Sequence, residues 1–82
     1  MRWQHKIRLA DVFHDEDRTF LERRDAIVLR CKTQLRRIYS ESEDLQYLLE
    51  ELSETEDEDQ FDEIWNDFYD WCDDNQVWVA TV

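Results

Sequence analysis

Not one residue of this 82-residue chain is Gly or Pro. At average usage the same length would hold roughly six of the first and four of the second. Turns must therefore be built by Asp, Asn and Ser, and helix ends must be closed by side-chain caps. The absence also excludes glycine-dependent phosphate loops, of both the Walker and the dinucleotide type. A chain so restricted favours helices joined by short polar turns.

The length fits one domain, residues 1–82, which buries only about 60–65% of the surface its unfolded form exposes. A hydrophobic content of 41%, with 13% aromatic, is enough to build a core and too much for a disordered acidic tail. No apolar run approaches the roughly 18–20 residues of a membrane span, and no signal-peptide core is read at the N-terminus. The expected setting is the cytoplasm, with Cys31 and Cys72 reduced and packed in the core.

Residues 3–9 alternate, with Trp3, His5, Ile7 and Leu9 on one side and Gln4, Lys6 and Arg8 on the other. This period of two predicts a half-buried strand. Asp11–Asp17 reads as a polar connection. Thr19 and Glu22 have capping-box spacing, and a helix over about 20–38 follows, its apolar face set by Phe20, Ile27, Val28, Cys31, Leu35 and Ile38. Ser40 with Glu43, and Thr55 with Glu58, repeat that spacing. They open a leucine-striped helix (Leu45, Leu48, Leu49, Leu52) and a third helix over about 56–73. Asn75 is a candidate left-handed terminator, and Val77–Val82 a second strand. The expected fold class is α+β, ordered β-α-α-α-β, with two paired terminal strands covered by three amphipathic helices. Trp3 and Trp78 are expected to pack the sheet.

Charge divides the chain sharply. Residues 1–37 hold all ten Lys and Arg and carry a net +4, whereas residues 38–82 hold sixteen acids and no base. On the third helix Asp59, Glu63, Asp67, Asp70 and Asp74 recur three or four residues apart, and Glu50, Glu51 and Glu54 on the preceding helix add to them. A row of carboxylates on a rigid element imitates nucleic-acid phosphates and offers a basic groove the contacts it uses for DNA. The plainer reading of the acids is a solvated face that keeps the protein soluble, or adaptation to high salt, which two Lys against eight Arg would fit. Like charges at helical spacing cost stability, and that cost favours a functional surface.

Arg23, Arg30 and Arg37, with Lys32 and Arg36, form a basic stripe whose expected role is pairing with the acidic helices. Arg24 points into an apolar face, where it snorkels or pairs with an acid from another helix. Tyr47 is expected to be exposed, and Tyr69 and Trp71 to flank the apolar face of the third helix. No nucleophile–base pair is present, and no catalytic residue, cofactor or metal is expected. Asp57 and Asp59 imitate the start of a calcium loop, yet its Gly is missing and position twelve is Phe68.

Both ends of the chain resemble a group of small proteins encoded by phages of actinobacteria. The first strand carries their Trp-x-His-x-Ile-Arg pattern at Trp3, His5, Ile7 and Arg8, the third helix ends on their Tyr-Asp pair at Tyr69 and Asp70, and the last strand carries their Val/Ile-Trp-Val/Ile pattern at Val77, Trp78 and Val79. That group has no assigned activity, so the resemblance implies phage origin and paired terminal strands only. The leading expectation is a non-enzymatic, acidic inhibitor or modulator of a basic, nucleic-acid-handling host protein, without direct nucleic-acid or membrane binding. Its contacts would be Glu50, Glu51, Glu54, Asp59, Glu63, Asp67, Asp70 and Asp74. The rival is an interaction module or homodimer that uses exposed aromatics, its acids serving solubility.

Overall fold

The computed structural model describes residues 4–82. Strand β1 (His5–Arg8) leads into a one-turn helix α1 (Ala10–Phe13). Four helices follow: α2 (Phe20–Gln34), α3 (Arg36–Glu41), α4 (Glu43–Glu54) and α5 (Glu58–Asp74). Strand β2 (Val77–Ala80) then returns beside β1. The terminal strands pair in parallel, with His5 opposite Val77 and Arg8 opposite Ala80, and the helices lie between them in sequence. The α+β class is as expected.

A two-stranded ribbon is marginal on its own, so its inner face must be buried by the helices. Ile7, Leu9 and Val77 turn inward and are almost fully buried beside Leu45, Leu49 and Leu52 of α4 and Phe68 of α5. Ile27, Val28, Cys31 and Leu35 supply the α2 side of the same core. Removing each large side chain of this kind from water contributes about 1.5–3 kcal/mol.

The helix ends depart from the sequence reading in instructive ways. At Thr19 the capping box forms: its hydroxyl accepts the Glu22 N–H, and the Glu22 carboxylate accepts the Thr19 N–H, both at 3.2 Å. The other two boxes do not form. Ser42, not Ser40, caps α4 by accepting the Leu45 N–H, while the Ser40 hydroxyl donates to the Arg37 carbonyl. Asp57, not Thr55, caps α5 by accepting the Gln60 N–H at 2.9 Å. The Thr55 hydroxyl is buried and donates to the Leu52 carbonyl. In both cases the competing hydroxyl closes the preceding helix instead of opening the next.

The helix expected over 20–38 bends at Leu35, which separates α2 from α3. With no Gly or Pro nearby, the bend falls where Leu35 is buried against the core. Part of the expected polar connection forms α1, which inserts Val12 into the core. Asn75 keeps a negative φ, and the left-handed position is taken by Gln76 at φ 59°. Asn75 instead closes α5, its side-chain amide donating to the Trp71 carbonyl at 2.8 Å. Trp78 is 43% exposed, on the other face of β2 from the buried Val77. Trp3 lies outside the described residues.

Candidate partner-binding surface

The 17 residues of α5 alternate between a buried stripe and an acidic one. Phe61, Trp65, Phe68 and Cys72 are buried, and their rings stack in series: Phe61 on Trp65 at 5.7 Å, Trp65 against Phe68 at 5.0 Å. This anchors the helix and fixes where its other side points. Asp59, Glu63, Asp67, Asp70 and Asp74 are all exposed. At 100° per residue they lie within about 80° of arc, along about 22 Å of helix. Among the described residues none of the eight expected contact carboxylates makes an ion pair.

The structure gathers some of these acids and separates others. Glu51 and Glu54 of α4 and Glu63 of α5 line one groove of about 320 Å³, together with Thr55, Gln60 and Ile64. Asp59, Asp67, Asp70 and Asp74 continue along α5 outside it, and Glu50 is exposed on α4. Tyr47 stands 62% exposed beside this acidic edge. A hydrogen bond with Glu51 and the nearby carboxylate charge raise the Tyr47 phenol above its ordinary pKa.

The basic residues behave otherwise. Arg23 donates to Glu58, at the start of α5, at 2.6 Å. Arg30 grips both carboxylate oxygens of Asp11 at 3.0 Å and donates to the Arg8 carbonyl. That guanidinium holds the Asp11 carboxyl below its usual range. Lys32 sits over the Tyr39 ring, 5.6 Å from its centre. Of this stripe, then, Arg23 reaches an acidic helix and Arg30 ties α2 to α1 and β1, while Arg36 and Arg37 make no ion pair among the described residues. Arg24 pairs with Asp25 on its own helix, not with an acid elsewhere, and donates to the Thr55 carbonyl across the α4–α5 turn.

Sequence reasoning missed one concavity. A cleft of about 190 Å³ opens between α1, α2 and α5, walled by Phe13, Phe20, Phe61 and Ile27 and rimmed by His14, Arg23, Arg24, Glu58 and Asp62. Arg24 on an apolar face was the one trace of it in the sequence. The Arg23 Nε there is buried without an acceptor. The two thiols, whose mutual distance the sequence left open, are buried and unbridged. Burial pushes Cys72 up to about 12. Burial raises Cys31 as well, and the neighbouring Cys72 adds to the shift.

These features define a small helical α+β domain with one acidic, solvent-facing side and no helix long and apolar enough to cross a membrane among the described residues. The chain belongs to the family described as the ATP-dependent helicase/deoxyribonuclease AddB fifth domain, whose model matches residues 31–82, from within α2 to the end of the chain. No curated protein and no solved structure matches it.

Proposed function

We propose that this chain is a non-enzymatic binding domain that docks on a basic, nucleic-acid-handling protein by presenting its α4 and α5 carboxylates where DNA phosphates would lie. The observation that carries this reading is the contrast in pairing. Arg18, Arg23, Arg24 and Arg30 of the N-terminal half are ion-paired within the fold, whereas the eight acids Glu50, Glu51, Glu54, Asp59, Glu63, Asp67, Asp70 and Asp74 make no ion pair among the described residues. Unpaired like charges on one rigid helix repel each other, and a basic partner relieves that repulsion.

The family description supplies a context, since it names a domain of a DNA-processing helicase and nuclease. A basic, DNA-facing surface of such an enzyme is the partner class this face fits. The phage resemblance of the termini extends the reading to inhibition of a host enzyme in the host cytoplasm. Direct nucleic-acid binding is disfavoured because a net charge of −12 repels phosphates.

The test is capture of partners from host lysate at low and high salt, followed by affinity measurement with the captured protein. A variant with Glu63→Lys, Asp67→Lys and Asp70→Lys should lose several kcal/mol of affinity, since close interfacial charge pairs couple by roughly 1.5 kcal/mol or more each. Excess duplex DNA should displace the domain. Undiminished binding by the triple variant, or indifference to DNA, removes phosphate mimicry and leaves the aromatic interface in its place.

A further inference from the structure

A helix ends on the negative pole of its backbone dipole, where a cation is favourable and a carboxylate is not. Two of the three long helices meet that requirement. Helix α2 carries Lys32 in its last turn, and α4 ends where Arg24 donates to the Thr55 carbonyl. Helix α5 does the reverse: its last turn holds Asp73 and Asp74 and no base. The uncharged Asn75 amide serves the Trp71 carbonyl there. Among the described residues Asp70, Asp73 and Asp74 make no ion pair.

The end of α5 differs also in what stands beside it. Three aromatic side chains are exposed among the described residues, Tyr47, Tyr69 and Trp78. Tyr69 of α5, 51% exposed, and Trp78 of β2 line one shallow groove of about 90 Å³, with Asp73 as its charged member. Lys6 lies opposite Trp78 in the ribbon but does not line this groove. The acidic groove between α4 and α5, by contrast, has no ring in its wall.

Ring faces attract a cation through their quadrupole, and a carboxylate accepts hydrogen bonds from it. A guanidinium answers both: it is planar, stacks on aromatic faces and is more weakly hydrated than an ammonium. A second copy of this chain is a poor occupant, since it brings another net charge of −12 to the same acidic end.

We propose that the groove formed by Tyr69, Asp73 and Trp78 is a docking site for an arginine side chain of a partner protein. It rests on the reading of a basic partner, and adds to the carboxylate row an anchor that tells Arg from Lys.

The probe is a blocked pentapeptide with a central Arg among Gly and Ser, titrated into the full chain in about 0.1 M salt. Amide and indole N–H chemical shifts follow binding, and the changes should centre on Tyr69, Asp73 and Trp78. Lys in place of Arg should weaken binding about fivefold, and citrulline, the uncharged counterpart, should abolish it. Asp73→Asn and Tyr69→Ala should each weaken the Arg peptide about fivefold or more. Both side chains are exposed, so the melting curve should be kept. Glu63→Gln should leave binding within about twofold, because Glu63 lies about 15 Å along the helix from Asp73, beyond the screening length of about 10 Å.

Equal affinity for the Arg and Lys peptides, with shifts spread along all of α5, overturns the proposal. So does an absence of shifts at the groove, or undiminished binding by Asp73→Asn. Shifts at Tyr69 and Trp78 that appear on concentrating the chain alone also overturn it, because the occupant is then a second copy. The lysate partner is tested with Glu63, Asp67 and Asp70 reversed, and the peptide with Tyr69 and Asp73 changed, so the two readings fail separately.

Discussion

Helices α2 and α5 are the two longest elements, and each carries a dense charged face opposite an apolar one. On α2 the charges work as fastenings: Arg23 reaches α5, Arg24 reaches the α4–α5 turn, and Arg30 reaches α1 and the end of β1. On α5 the five-carboxylate row fastens nothing among the described residues. The position of α5 is instead set by its rings, from Phe61 to Trp71. One helix holds the fold partly through its polar groups, the other, apart from Glu58 at its first turn, through its apolar ones. A helix held in the second way has its polar face at liberty to serve something else.

The comparison can be broken hardest at Phe68, which is fully buried in the middle of α5. Phe68→Ala should destabilise the protein by about 3–5 kcal/mol in chemical denaturation, the usual cost of emptying a packed aromatic site. Leu29→Ala on α2, where the side chain is 66% exposed, should change stability by less than about 0.5 kcal/mol. A small loss at Phe68 would mean that something other than the rings holds α5.

Arg24 sharpens the other half of the comparison. Its side chain is 16% exposed, and its guanidinium serves Asp25 and the Thr55 carbonyl together. Arg24→Met keeps the apolar stem but removes the donors, and should cost about 1–3 kcal/mol, as for other hydrogen bonds to charged groups. An unchanged denaturation midpoint would demote Arg24 from fastening to decoration.

Where the two helices contribute one thiol each, pH supplies a test. Both thiols are raised by burial, so the folded protein keeps protons that the unfolded chain gives up. Stability from this source is fully present below the unfolded value near 9 and is lost as pH rises toward the folded Cys72 value of about 12. Native labelling at about pH 8 should be slow and should accelerate only on unfolding. Melting temperature should fall more steeply above pH 9 in the wild type than in a variant with Cys31→Ala and Cys72→Ala. Equal alkaline slopes would place the thiols in contact with solvent.

How much of this was legible depended on how local the signal was. The apolar stripe of α5, from Phe61 to Cys72, follows from helical period alone, and the structure buries its centre as that period requires. Caps were harder, because Thr55 and Asp57 both stand before a helical run. Only the tertiary burial of Thr55, whose hydroxyl serves Leu52, decides for Asp57. The one-turn α1 is too short to show a period. The acidic row was legible as a row, yet its contact with Glu51 and Glu54 across a groove depends on how α4 and α5 pack. The parallel register of β1 on β2 was invisible, since it joins two strands about seventy residues apart.

The smallest effect makes the most pointed test of the contrast. Asp67 has Glu63 four residues before it and Asp70 three after it, both exposed and of like sign. Each such pair destabilises a helix by about 0.2–0.5 kcal/mol, and each opposite pair stabilises it by as much. Asp67→Lys converts both pairs at once, so stability should rise by about 0.8–2 kcal/mol at low salt. Because the groups are exposed, raising ionic strength to about 1 M, where the screening length is about 3 Å, should erase most of the gain. The mirror-image change on α2, Arg30→Glu, should destabilise, because it places two acids at the Asp11 contact and takes a donor from the Arg8 carbonyl. If Asp67→Lys also destabilises, the carboxylate makes a contact that holds the fold. The row on α5 would then be a set of fastenings like those of α2, and no longer a face left open for a partner.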